Sequence, residues 1–398
     1  MQNFVFISPH FPETYYRFVV ALKKNGFRVL GVGDQSYDSL NPELKAALTE
    51  YYLCNDMDNF DNEVRAVKYF EDKYGHIDYL ESNNEYWLEK DAKLREIFGI
   101  TTGPVGKEIE YWQHKSLMKI GYEKAGAKTA AWIIYKDREQ LLEFVKKVGY
   151  PVFAKPDKGV GAEETFKMDN PDDVESFINN HQASVEYIVE QYISGDIITF
   201  DGICDSKSNV VFCASNFFPP SIADIVHDRK DLFYFTFPQV PKKLETLGRK
   251  VIKAFGVKKR FFHLEFFQLT KDAKGVGKVG DIVPLETNMR PAGGYTPDTI
   301  NFANSSDVYQ IYGDVMAFDE NRQKDEHKHF YSAVASRRDG FNYLHSDEEL
   351  INHYQGKMCN HGRYPFVLSS AMGNRFFMAK FDTLEEVEEF KEYSEARL

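Results

Sequence analysis

A carboxylate, an amide and a guanidinium spaced two residues apart carry the clearest chemistry in the chain, in the run Asp281-Ile-Val-Pro-Leu-Glu286-Thr-Asn288-Met-Arg290-Pro291-Ala-Gly293-Gly294. Side chains of an extended strand alternate between its faces, so Glu286, Asn288 and Arg290 point one way. Val283, Leu285, Thr287 and Met289 then form the core face. Two oxygen donors beside a guanidinium suit Mg²⁺ next to a phosphate clamp. The upstream run Phe261-Phe-His263-Leu-Glu265-Phe-Phe267-Gln-Leu-Thr270 alternates in the same way and puts His263, Glu265 and Phe267 on one face. Between the two runs, Lys271–Lys278 has the Gly, Lys and Asp content of a hairpin loop. If the hairpin is symmetric about Gly275 and Val276, Glu265 lies opposite Glu286 and His263 opposite Asn288. Opposed carboxylates repel unless a cation sits between them. Two solvated acids on an open sheet face are the competing reading, and a bulge would shift the register.

Two weaker constellations precede this hairpin. Lys155 ends an apolar run and is followed by Pro156-Asp-Lys-Gly159-Val-Gly161-Ala162, a short glycine-rich turn whose amides can approach phosphate oxygens. It is not a Walker loop. Tyr187-Ile-Val-Glu190-Gln191-Tyr192-Ile193-Ser-Gly195-Asp196 offers an acid for a base edge, Tyr192 or Ile193 for its face and Asp196 for ribose hydroxyls. An ordinary strand, turn and strand would read the same way.

These residues need a scaffold, and the apolar periodicity outlines one. Residues 3–110 alternate strands (3–7, 27–32, 77–80) with helices (12–24, 63–74, 85–98), the pattern of an open α/β sheet. Gly31-Val-Gly33 lacks the third glycine of a dinucleotide fingerprint. A linker helix is expected over 111–126, then a strand at 130–135, a helix at 137–148 and a strand from Thr165. The locally basic stretch 242–260 has helical apolar spacing and reads as a surface helix with a solvated basic face. Strands near 330–336 and 375–381 and a helix at 384–393 point to a small C-terminal α+β module.

Taken in order, these segments resemble the ATP-grasp superfamily in its carboxylate–amine ligase branch, whose members include biotin carboxylase, D-alanine–D-alanine ligase and carbamoyl phosphate synthetase. The resemblance rests on His114-Lys115 with Gly126, Ala154-Lys155-Pro156 with Gly159 and Gly161, Glu190-Gln-Tyr-Ile193 with Gly195, His263-Leu-Glu265, and Glu286-Thr-Asn288-Met-Arg290-Pro291. It implies a pre-ATP-grasp α/β domain over 1–110, an ATP-grasp domain over 111–318 with a mobile lobe near 128–188, and the C-terminal module over 319–398. By the same resemblance, Lys115 and Lys155 contact ATP phosphates, and Gly159 to Ala162 cover them. Glu190, Gln191 and Ile193 line the adenine site, with Tyr192 and Asp196 beside it. Glu265, Glu286 and Asn288 hold Mg²⁺, or Mn²⁺ in its place, and Arg290 stabilises the transferred phosphoryl. The phosphate loop carries two acids, and Asp196 follows Gly195 directly where relatives often insert a residue. His263 is open between acid–base work and support of the metal strand. The loops 81–85 and 293–298 are candidates to border the substrate.

The implied reaction joins a small carboxylate, such as an amino acid, to an amine through an acylphosphate. A kinase or carbamoyl-phosphate-type enzyme and a nucleotide-binding regulatory subunit are the alternatives. Net charge is −12 with no dominant basic block, which argues against nucleic acid as the main partner. Four scattered cysteines lack metal or redox spacing, no apolar run approaches membrane-spanning length and no signal peptide is apparent, so a cytoplasmic protein is expected, with a homodimer open.

Overall fold

Burial along the first strand shows how the N-terminal residues fold. In the computed structural model, which describes residues 1–159, 164–218, 231–324 and 327–398, β1 (Asn3–Ile7) is buried on both faces. Phe4 and Phe6 pack against Phe18 and Leu22 of the helix Tyr16–Lys24. Val5 and Ile7 pack against Val67 and Phe70 of the helix Phe60–Tyr74. Helices on opposite faces force near-continuous apolar strands. The sheet is parallel, ordered β3 (Glu50–Leu53), β2 (Arg28–Gly33), β1, β4 (Tyr79–Glu81). This is the expected open α/β sheet.

Two antiparallel sheets follow. The smaller runs β5 (Trp132–Ile134), β8 (Tyr187–Gln191), β6 (Val152–Pro156), β7 (Phe166–Met168). The helices Arg138–Val148 and Pro171–Asn180 contribute to one apolar cluster with it. Asp137 and Asn170 cap those helices by accepting from Gln140 N and from Asp172 and Asp173 N.

The larger sheet has nine strands among the described residues. Its path is β14 (Ile282–Asn288), β13 (Arg260–Leu269), β9 (Gly195–Cys204), β11 (Asn216–Phe218), β12 (Phe233–Thr236), β15 (Tyr331–Arg337), β17 (Arg375–Phe381), β16 (Met358–Arg363). β10 (Val210–Ala214) pairs with β9 off this path. The C-terminal strands therefore extend the same sheet through β12 and β15. The helix Leu384–Glu395 packs beneath them through Val387 and Phe390.

On one face of this sheet, Phe200, Phe262 and Leu264 pack against the helix Lys242–Phe255 and the helix Lys115–Lys124. The basic face of Lys242–Phe255 is outward as expected, but Arg260 is not part of it. That side chain is buried and paired with Glu81 at 2.7 Å.

The single linker helix expected over 111–126 is two helices, Gly106–Gln113 and Lys115–Lys124. His114 between them is extended, at φ −88° and ψ 117°. Asp157, at the exit of β6, accounts for the break. Its carbonyl accepts from Lys115 N at 2.8 Å, and its carboxylate accepts from Ser116 N at 2.7 Å and pairs with His114 Nδ1 at 2.8 Å. The new helix thus gains its cap from the strand that carries Lys155.

Candidate active site

The β13–β14 hairpin has the expected pairing: Glu265 lies opposite Glu286, and His263 opposite Asn288. A bulge is present, but on the loop side of the acids, where Phe266 pairs with Pro284. It reverses part of the expected alternation. Val283 lies opposite Phe267, on the same face as the acids, while Met289 is in the core on the other side. The extra residue at Leu285 shifts the phase between them.

The two acids are displaced in opposite senses. Burial raises the proton affinity of Glu286, with Glu265 adding to the rise and Lys115 opposing it. Burial also raises that of Glu265, but His263 and Arg290 outweigh it and hold the carboxyl below its ordinary value. Closely opposed carboxylates split in this way because the charge on one disfavours ionisation of the other. Two carboxylates and the Asn288 amide form a hard oxygen set that fits Mg²⁺.

Cations surround the pair. Lys115, at the head of its helix, lies 3.7 Å from Glu286 and donates to Gly159 O at 2.9 Å. Gly159 has φ +136°, a conformation that favours glycine. Gly161 and Ala162 lie outside the described residues. Lys155 pairs with Glu190 at 3.2 Å, on the same face of the small sheet. Lys119, one turn after Lys115, pairs with the other Glu190 oxygen at 3.0 Å. Burial would raise the Glu190 carboxyl, yet Lys119 and Lys155 bring it down to about 2. Lys119 itself is lowered by burial. The sequence reading missed Lys119; its i,i+4 spacing from Lys115 is the signal that could have found it.

The adenine-side residues divide. Ile193 is buried with Ala130, Leu269, Val276 and Val283. The Gln191 side chain turns to the hairpin tip and donates to Lys274 O at 3.2 Å, while its backbone N–H donates to Ala131 O at 2.8 Å. Tyr192 is 38% exposed and lies under the Lys167 ammonium, so the structure does not bring its ring into the cleft. Asp196, the second residue of β9, lies opposite Gln268 and is partly buried, with its carboxyl raised by burial.

Arg290 donates to Pro291 O at 2.9 Å and lies 3.4 Å from Glu85 Oε2, so the loop after β4 does reach the metal strand. Glu81, in the same candidate loop, does not face the cleft. It is buried between Arg95 at 3.0 Å and Arg260 at 2.7 Å. In the other loop, Asp298 is buried, accepts from Tyr309 Oη at 3.0 Å and pairs with Arg17. Tyr295 packs on Phe376 of β17, with ring centroids 4.6 Å apart. His263 bridges Asp201 and Glu265, at 2.5 and 3.1 Å. Burial would lower its proton affinity, but Asp201 and then Glu265 raise it to about 9. Asp201 was not anticipated, because only the β9–β13 register brings it opposite His263.

No family model matches the chain. It is 34% identical over 87 residues to D-alanine–D-alanine ligase B of Clostridium perfringens, covering 21% of this chain and 29% of that protein. The chain matches a third or less of the length of the curated relatives it resembles. Its fold matches the L-amino acid ligase of Bacillus licheniformis with a TM-score of 0.73 at 14% identity, over 98% of this chain and 96% of that one. It also matches the biotin carboxylase domain of Hydrogenobacter thermophilus 2-oxoglutarate carboxylase, a dimer in complex with MgADP, with a TM-score of 0.69 at 16% identity. That match covers 99% of this chain and 89% of that one. The chain has the ATP-grasp fold. It is the fold of the solved L-amino acid ligase and biotin carboxylase structures that it matches. Among the described residues, no helix is long and apolar enough to cross a membrane.

Proposed function

We propose that this protein is an ADP-forming ligase that joins a small carboxylate, an amino acid, to an amine. The observation that carries this reading is the opposed Glu265–Glu286 pair with Lys115, Lys155 and Arg290 around it. Such a cluster suits a polyphosphate with its cation, and no covalent enzyme nucleophile is needed. The names of the relatives, among them a D-alanine ligase and an L-amino acid ligase, favour an amino acid as the carboxylate.

Lys115 and Lys155 hold the phosphates, and Gly159 begins the turn over them. Glu190, kept ionised by two lysines, accepts from the exocyclic amine of adenine, with the Gln191 backbone and Ile193 beside it. Glu265, Glu286 and Asn288 hold Mg²⁺, which when bound neutralises charge on the phosphates. Arg290 orients the γ-phosphoryl. The substrate carboxylate attacks it, releasing ADP and leaving an acylphosphate; the amine then displaces phosphate to form the amide. Glu85 and the loop Gly293–Tyr295 border the carboxylate substrate.

ADP and phosphate release from Mg-ATP, with pooled amino acids and pooled amines, tests this. Release that needs both pools supports a ligase. Release with the carboxylate pool alone would make it a kinase-type enzyme, and nucleotide binding without release from any pool would favour the regulatory alternative. Glu286→Gln is expected to abolish ATP turnover with the circular dichroism spectrum unchanged. Normal turnover in that variant would remove Glu286 from the metal set.

A further inference from the structure

A row of buried polar side chains crosses four neighbouring strands of the large sheet and ends at Glu265. It starts at Thr236 on β12, whose hydroxyl donates to Asn216 Oδ1 at 2.6 Å. Asn216, on β11, donates through Nδ2 to Asp201 Oδ2 at 2.7 Å, and the Thr199 hydroxyl donates to that same oxygen. Asp201, on β9, accepts from His263 Nδ1 at 2.5 Å, and His263 Nε2 lies 3.1 Å from Glu265 Oε1 on β13. Thr199, Asn216 and Thr236 are fully buried, and Asp201 and His263 nearly so. Each ring nitrogen of His263 faces a carboxylate oxygen, Nδ1 toward Asp201 and Nε2 toward Glu265, so the ring links the two side chains.

Buried polar groups are costly unless each is satisfied, and a satisfied row holds its members in one orientation. Glu265 is its only acid in the proposed metal set. We infer that Asp201, acting through His263, is a positioning residue for Glu265: the pair fixes the carboxylate by holding Oε1 and presents Oε2 to the cation. Asp201 touches neither cation nor nucleotide. Outer partners that orient ligands in this way commonly account for about 10- to 100-fold in metal affinity. The inference rests on the metal reading above and adds Asp201 and the division of labour between the two Glu265 oxygens.

The test uses the full chain with ADP, and Mn²⁺ as the probe, counted free and bound by electron paramagnetic resonance. Asp201→Asn keeps the shape of the side chain but removes its charge, and is expected to weaken Mn²⁺ binding by about tenfold or more. ADP affinity without metal should be unchanged, and the spectrum of the bound Mn²⁺ should alter. A purely structural role would lower the melting temperature without changing that spectrum. If Asp201→Asn does not fold, His263→Gln, which retains one donor toward Glu265, carries the same measurement. Wild-type Mn²⁺ affinity and spectrum in the folded variant would overturn the inference while Glu286→Gln still loses Mn²⁺. Equal Mn²⁺ binding by wild type and Glu286→Gln would overturn both the metal assignment and the inference that depends on it.

Discussion

Both carboxyl oxygens of Glu63 are buried without a hydrogen-bond partner among the described residues. Burial raises this carboxyl from its ordinary 4.5 to about 7, with Lys90 opposing the rise and Asp58 adding to it. The sign of the linkage follows. A raised folded-state value favours the protonated form, so its contribution is fully present below pH 4.5 and is lost as pH rises through 7. The native state should therefore lose about 2–3 kcal/mol from this one group between pH 4 and pH 8. Glu63→Met, similar in volume and without charge, should be more stable than wild type at pH 8, and the advantage should shrink towards pH 4. Urea denaturation at the two pH values measures it; an advantage that does not vary with pH would mean that Glu63 does not titrate in that window. Glu190 behaves in the opposite way. Its depressed value makes its ion pairs a contribution present above about 4.5 and lost as pH falls towards 2.

At the scale of elements, the helix Lys242–Phe255 crosses β9 closely beneath the site. A Cβ on Gly248 would stand 2.2 Å from Cδ1 of Phe200. Phe200 is fully buried and stacks on Phe262, with ring centroids 5.3 Å apart, so the ring cannot swing clear. Alanine would gain about 1 kcal/mol of helix propensity, yet overpacking a filled core costs about 1–3 kcal/mol. Gly248→Ala is therefore expected to lose stability, by about 1 kcal/mol net, in a chemical denaturation curve with unchanged slope. An unchanged midpoint would show slack under the sheet. The periodicity of this helix was legible, with Leu244, Val251 and Phe255 buried as their spacing requires. The glycine was not, because its reason is a ring on another element.

Across the molecule, the parallel sheet meets the large sheet through charges that no window of sequence contains. Arg260, at the start of β13, pairs with Glu81, at the end of β4, and its Nε donates to Met289 O at 2.8 Å, one residue before Arg290. Arg95 holds the other side of Glu81 and donates to the carbonyls of Leu80 and Pro104. Removing one member of a buried ionic set leaves its partners uncompensated. Arg260→Met should lose about 3 kcal/mol, and a double-mutant cycle with Glu81→Gln should give a coupling of at least about 1 kcal/mol. Additive effects in the cycle would mean that the two side chains act independently.

The sequence by itself determined which face of each element the chemical residues occupy. Alternation with period 2 and a recognisable hairpin loop sufficed to set Glu265 against Glu286, and the order of short motifs sufficed for the fold. Tertiary structure alone decided what each residue faces. His263 meets Asp201 across 62 residues, and Lys119 meets Glu190 across 71. Local periodicity carries no information about sheet order, so it cannot name such partners. Nor does it register a bulge, which is why Val283 was expected on the wrong face, or a cap supplied from another strand, which is why one helix was expected where Asp157 makes two. Glu81 lies in a loop expected to border the substrate, because ligands bind at the C-terminal ends of strands in α/β sheets; two arginines from other elements bury it instead.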